Sequence, residues 1–278
     1  MSTDPARTKK RLAIPRGPAA DPAFPASNAA GNPYKYSAAL LAASQLPPRV
    51  TPTHVFFCGY EGDHPLVCLS QWFPAVFSGP KTGVWLQEME KRLGLGDEDE
   101  SDVEARSEAL KRPQAESEQV DFPTAEHFMM YHKALLMGDE ATAAHILAPE
   151  HAHPSHAKRL GRAVRHFDQA KWNEWAERIV AEGNRWKFSD ARNRDLRVEL
   201  RETRRRVLVE ASPEDRVWGV GFDVLAAEGR EAEWGENRLG RVLQAVREDL
   251  GNGLAWVDGW EIEGEGRMDS VQFGSAID

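Results

Sequence analysis

Glu126 and Lys133 stand seven positions apart inside FPTAEHFMMYHKALLMG, residues 122–138, a stretch that is otherwise apolar or aromatic nearly throughout. At 100° per residue the two charges lie roughly 20° apart around a helix, and Met129, Met130 and Met137 share their face. Seven residues rise roughly 10 Å, which suits two long side chains converging on something between them. A carboxylate and an amine on such a stripe can be a buried structural contact. They can equally be an acid and a base whose proton affinities are perturbed for chemistry. Periodicity alone leaves both readings open.

Other residue groupings invite chemistry as well. HAHPSH, residues 151–156, gathers His151, His153 and His156 beside Glu150, but a proline-broken loop after a helix is a poor source of rigid, specifically spaced zinc ligands. Asp215, Trp218, Gly219 and Gly221 combine an acid, a flat aromatic and a permissive backbone, as a site for a heterocycle with ribose requires. Asn237, read as the N-cap of the last helix, leaves N–H donors facing an anion such as phosphate. The same residues also describe a tryptophan packed against tight turns and an ordinary cap. GVG at 219–221 lacks the third glycine of a dinucleotide fingerprint, and the chain contains no GxxxxGK[ST], GxSxG or HExxH pattern.

Most of the elements that must position these groups read as helices. Pro123 and Thr124 signal a helix start and Gly138 its stop, and apolar residues on every side make that helix a buried one. ATAAHILA, HAKRLGRAVRHF and DQAKWNEWAERIVAEGNRWKF follow at helical spacing, with Trp172, Trp175 and Ile179 expected in the core. NRLGRVLQAVREDLG carries a stripe of Leu239, Val242, Leu243, Val246 and Leu250 and ends at Gly251. HVFFCGY (54–60) and VCLSQWFPAVF (67–77) read as short strands or extended segments, and VLVEAS (207–212) as a short strand.

Composition sets the outer bounds. Residues 1–50 hold eight of the seventeen prolines, so they are expected to be a disordered Pro/Ala-rich tail before a domain at 51–250. The net charge of −9 divides into +5 for residues 1–50, −6 for 86–119, −5 for 251–278 and −3 for the remainder. An exposed acidic insertion at about 86–119 and an acidic C-terminal tail at 251–278 follow from this. The near-neutral remainder offers no broad basic surface for nonspecific nucleic-acid binding. There is no apolar run long enough to span a membrane and no hydrophobic signal core. Two cysteines without paired spacing, Cys58 and Cys68, suit reduced thiols. The expectation is an intracellular protein, cytoplasmic or nuclear, with RTKKR at 7–11 a weak import patch.

Taken together and in order, CLSQWFPAVF (68–77), FPTAEHFMMYHKALLMGD (122–139), AKRLGRAVRHFDQAKWNEW (157–175), NRWKFSD (184–190), VLVEASPEDRVWGVGF (207–222) and WGENRLGRVLQAVREDL (234–250) resemble the NADAR (YbiA-like, DUF1768) family, particularly its fungal form. The resemblance covers roughly residues 54–250. It implies a YbiA-like α+β fold, predominantly helical with a few short strands, and an N-glycosidase needing no metal or redox cofactor. Its substrate would be a small-molecule ribosyl phosphate, such as the amino-ribosyl pyrimidine phosphates of riboflavin synthesis, or an ADP-ribosyl group on guanine, with ADP-ribosylated DNA as a further partner. The alternative is a noncatalytic ADP-ribose- or nucleotide-binding module.

Position by position, the TAEH motif points to Glu126 and the following KA to Lys133. SPxDxxWGxG points to Asp215, Trp218 and Gly219, and WGxNxLG to Asn237. LSQW places Trp72 in the pocket and WKF places Lys187 nearby. Glu126, Lys133 and Asp215 are thereby implied as catalytic, and the other five as substrate-binding. Two departures stand out. Gln71-Trp72 replaces the Asn-Phe of bacterial members, which bears on base stacking, and Thr203-Arg204 replaces a Thr-Gly, which bears on a turn.

Overall fold

The computed structural model describes residues 37–86 and 118–251. The expectations for the chain before 37, between 87 and 117 and beyond 251 lie outside the described residues. In chain order the elements are α1 (Ala38–Ser44), β1 (Arg49–Val50), β2 (His54–Phe57), β3 (Phe77–Pro80), β4 (Gln119–Phe122), α2 (Ala125–Leu136), α3 (Glu140–Ile146), α4 (Pro154–Arg162), α5 (Gln169–Ser189), α6 (Arg194–Glu202), β5 (Val207–Glu210) and α7 (Arg238–Gly251). The fold is α+β and predominantly helical.

Among the described residues the strands form a three-stranded sheet of order β1-β2-β5 and a separate β3-β4 pair. β1 runs antiparallel to β2, and β2 runs parallel to β5 with Phe57 opposite Glu210. Successive strand residues point to opposite faces. Val55, Phe57 and Leu208 therefore join the main core with Phe128, Trp175, Ile179 and Leu243. Phe56, Cys58, Val209 and Ala211 face the other way, into a smaller core closed by Ala43 and Val220. Each fully buried aliphatic or aromatic side chain contributes roughly 1.5–3 kcal/mol.

The smaller core explains a difference from the expectation of a disordered tail to residue 50. The hydroxyl of Ser37 caps α1 by accepting from the Leu40 N–H at 3.1 Å. Ala43 is then buried against the sheet, while Leu40 and Leu46 pack beside it. A second difference lies in VCLSQWFPAVF. Pro65–Leu69 forms a 3-10 helix rather than a strand, with the His64 ring accepting from the Leu66 N–H at 3.2 Å. Only Phe77 onward is strand.

α2 runs through the middle of the molecule. Thr124 caps it by accepting from the His127 N–H at 3.3 Å, and Gly138 follows its end in a left-handed conformation, φ +71°. His127 and His132 are buried with it, and burial pushes their proton affinities down to about 4 and about 3. The neutral His127 ring accepts from the Thr124 hydroxyl at 2.8 Å and donates to the His151 carbonyl at 3.0 Å. α5 crosses α2 so closely that a Cβ on Gly183 would stand 2.6 Å from Phe128.

Candidate active site

A cavity of about 280 Å³ opens at the carboxyl ends of the parallel strands β2 and β5. Ligand sites in open sheets with parallel strands commonly lie at such ends. Cys58, Tyr60 and Glu61 line it after β2, and Glu210, Ser212, Glu214 and Asp215 line it at the end of β5. Lys158 and Arg162, one turn apart on α4, form the opposing cationic wall with Trp72. The end of α1 closes another side through Leu40, Ser44 and Gln45.

Glu126 is 5% exposed and lies beneath this surface. Burial pushes its carboxyl up; the Lys158 ammonium, a hydrogen bond from the Trp72 side chain and the Arg162 guanidinium pull it back down, and Asp215 pushes up again. All four of these neighbours line the cavity. Trp72 is the hub of the wall, with the Tyr60 ring centroid at 5.8 Å, the His153 ring centroid at 6.0 Å and the Lys158 amine 5.6 Å from its own ring.

Two contacts aim the Trp72 segment. The Gln71 carbonyl accepts from the Glu126 N–H at 3.0 Å, tying the segment to the first turn of α2. Lys187, fully buried on α5, donates to the carbonyls of Cys68 at 2.7 Å and Ser70 at 3.0 Å. Lys187 is therefore placed under the segment that carries Trp72 and not on the cavity lining. Burial lowers its proton affinity to about 8.

Lys133 shares the Glu126 face of α2, as the helical spacing predicts. Its amine stands 4.3 Å from the centre of the Phe167 ring and 5.1 Å from that of Trp172. Burial pulls its proton affinity down, Glu126 raises it, and Arg162 lowers it again. Trp172 is correspondingly half-buried, so only Trp175 and Ile179 of that predicted stripe lie fully in the core.

The region around residues 215–237 divides between site and scaffold. Asp215 lines the cavity, and its Oδ1 accepts from the N–H groups of Val217 at 2.9 Å and Trp218 at 2.7 Å. The half-buried Trp218 packs against the main core. Gly219 permits a close crossing, since a Cβ there would stand 2.7 Å from the Glu210 carbonyl oxygen and 2.9 Å from that of Asp215.

Asn237 does not act as the expected side-chain cap facing an anion. It adopts a left-handed conformation, φ +50°, and turns its amide onto β5. Its carbonyl oxygen accepts from the Glu210 N–H at 3.0 Å, and its amide nitrogen donates to the Leu208 carbonyl at 2.8 Å. Two of the HAHPSH histidines hold nearby backbone, and His153 also reaches the Tyr60 hydroxyl at 3.4 Å. His153 caps α4 through Ser155, and the His156 ring meets the Glu150 carbonyl at 3.2 Å.

Sequence reasoning passed over Glu210, Lys158 and Arg162. Their signals were a charged residue ending an otherwise apolar strand and a pair of cations at i, i+4 in AKRLGR. Both patterns usually describe solvated surface.

The chain is similar to several known proteins. It is 43% identical to N-glycosidase R617 of Acanthamoeba polyphaga mimivirus over 131 residues, 46% of this chain and 75% of that one. Protein irg-1 of Caenorhabditis elegans is 38% identical over 147 residues, 51% of this chain and 66% of that one. N-glycosidase Npun_R5314 of Nostoc punctiforme is 31% identical over 132 residues, 48% of this chain and 76% of that one. The NMR structure of the Escherichia coli protein YbiA is 21% identical, with a TM-score of 0.47, covering 80% of this chain and 98% of that one. The NADAR domain model matches residues 56–251. This chain belongs to the NADAR domain family.

Proposed function

We propose that this protein is an N-glycosidase that hydrolyses a ribosyl C–N bond. The observation that carries this reading is the buried Glu126 carboxyl, held by the Trp72 side chain and the cations Lys158 and Arg162 at the edge of a cavity. Cleaving the bond builds positive charge at C1 of the sugar and requires a proton on the departing nitrogen. A carboxylate in a desolvated wall stabilises that charge and orients the attacking water. The N-glycosidase names of the mimiviral and Nostoc relatives support the same class.

Lys158 and Arg162 supply charge for a phosphate on the sugar, and Trp72 with Tyr60 supplies flat surface for a base. Lys133 has two separable roles, binding phosphate as an ammonium or attacking the opened sugar as a neutral amine. Burial lowers its proton affinity, whereas the faces of Phe167 and Trp172 stabilise the ammonium. Asp215 contributes a negative charge beside the first two groups. The chemistry uses water and no cofactor.

The substrate class that fits is a small ribosyl phosphate, such as the amino-ribosyl pyrimidine phosphates of riboflavin synthesis. ADP-ribosylated guanine, free or in DNA, is the runner-up, and a noncatalytic ADP-ribose- or nucleotide-binding module is the alternative of another class. Among the described residues no helix is long and apolar enough to cross a membrane. Incubating the purified protein with 5-amino-6-ribosylaminouracil phosphate, and separately with an ADP-ribosyl-guanine oligonucleotide, decides among the three. Ribose 5-phosphate release detected by mass spectrometry is the expected result. ADP-ribose release alone selects the second substrate class, and binding of ADP-ribose by calorimetry without any product selects the module.

A further inference from the structure

Four carboxyl groups line the cavity, and one of them, Glu210, has no part in the chemistry above. Glu210 ends β5, and its backbone is held on both sides: its N–H donates to Asn237 at 3.0 Å, and its carbonyl accepts from the Val220 N–H at 3.0 Å. The crossing at Gly219 confines the side chain, because a Cβ there would stand 3.2 Å from the Glu210 Cγ. Its Oε2 is buried and has no hydrogen-bond partner among the described residues.

The groups around Glu210 do not favour an ionised carboxylate. Asp215 and Glu214 share the loop that follows β5, and the Cys58 thiol lies at the end of β2. Lys158 on α4 is the cation that acts on it. Burial, and then Asp215, push the Glu210 carboxyl up to about 8 despite the pull of Lys158. Glu126, which burial and Asp215 also push up, has in addition to Lys158 an N–H donor in Trp72 and a second cation in Arg162. Two carboxyls whose surroundings differ in this way divide naturally into an acid and a base.

We propose that Glu210 is the general acid of this site, donating its carboxyl hydrogen to the nitrogen that leaves C1 of the ribosyl group. The assignment rests on the N-glycosidase reading. As the C1–N bond breaks, its electron pair stays on nitrogen, which takes the Glu210 proton. The oxygen of a water molecule bonds to C1, and the water proton passes to the Glu126 carboxylate. One proton then moves from Glu126 through solvent to Glu210, restoring the starting state.

The test compares wild type, Glu210→Gln and Glu210→Asp on two N-ribosides of the same sugar phosphate. One carries an aminopyrimidine that must be protonated to leave, and the other a nitro-substituted heterocycle that leaves as a stable anion. The expected result is a loss of about 10²-fold or more in kcat/KM for Glu210→Gln on the first riboside, with a change of no more than a few-fold on the second. Glu210→Asp recovers part of the loss. The falling limb of the wild-type pH profile near 8 disappears in Glu210→Gln. Equal losses on both ribosides, or no loss on either, overturn the assignment. A wild type inactive on both overturns the N-glycosidase reading and this role with it.

A readout independent of turnover is thermal unfolding across pH. Because the folded state raises this carboxyl from 4.5 to about 8, its contribution to stability is complete below 4.5 and is lost as pH rises through 8. The Tm of Glu210→Gln relative to wild type must therefore rise across that window. A constant difference overturns the protonated Glu210.

Discussion

Glu126 on α2 is buried and Glu210 at the end of β5 is partly buried, and burial pushes both carboxyls upward. Their neighbours differ. The helical wall gives Glu126 an indole donor and two cations spaced one turn apart on α4. The strand wall gives Glu210 one cation and an oxygen with no hydrogen-bond partner among the described residues, while Asp215 pushes both carboxyls up. Burial thus raises both carboxyls, and the facing element decides how many donors and cations oppose that rise.

The supports of the two walls differ in the same manner. Lys187 spends its charge on two backbone carbonyls beneath the Trp72 segment, while Asn237 pins β5 with a neutral amide. The largest effect is expected where the helical wall meets the substrate. Glu126→Gln lowers kcat by about 10²–10⁴-fold and leaves ligand binding within a few-fold by calorimetry. Loss of binding equal to loss of rate would reassign Glu126 to binding or structure.

Lys187→Ala removes a buried donor pair and leaves a cavity, so unfolding in urea shows a loss of about 2–5 kcal/mol. Lys187→Met, which fills the space, recovers part of that loss. Asn237→Ala strands the Glu210 N–H and the Leu208 carbonyl and costs about 1–3 kcal/mol. Tm and urea midpoint should fall together, confirming that Asn237 supports the strand wall. Smallest is Arg204→Gly. Arg204 holds φ +56° in the turn before β5, and relief of that conformation is partly offset by the looser unfolded chain. A stabilisation of about 1 kcal/mol or less is expected; a loss would mean that the Arg204 side chain contributes contacts of its own.

That turn shows how legibility worked along the chain. The departure from Thr-Gly to Thr203-Arg204 was visible in the sequence, and it falls on a left-handed residue as a glycine position should. The Thr124 cap, the Gly138 stop and the buried character of α2 were legible too, because caps and periodicity are local properties. Trp172 packs against the main core but is only half-buried, and a helical stripe does not distinguish a fully enclosed tryptophan from one whose ring meets a lysine at the margin. α1 was missed because a short Ala/Leu run is too weak to form a helix alone and is ordered by packing on Phe56 and Cys58.

By itself the sequence determined the helical character of the molecule, the placement of Glu126 and Lys133 on one face, and the ordered motifs of a NADAR domain. Only the tertiary structure decided that Glu210, Lys158 and Arg162 line one cavity with Glu126 beneath it, that Lys187 lies under the Trp72 segment, and that Asn237 turns inward to hold β5. The reason is physical. Repeat period and capping act within a few residues, whereas convergence of side chains from β2, α2, α4 and β5 depends on how those elements pack, which no local pattern encodes.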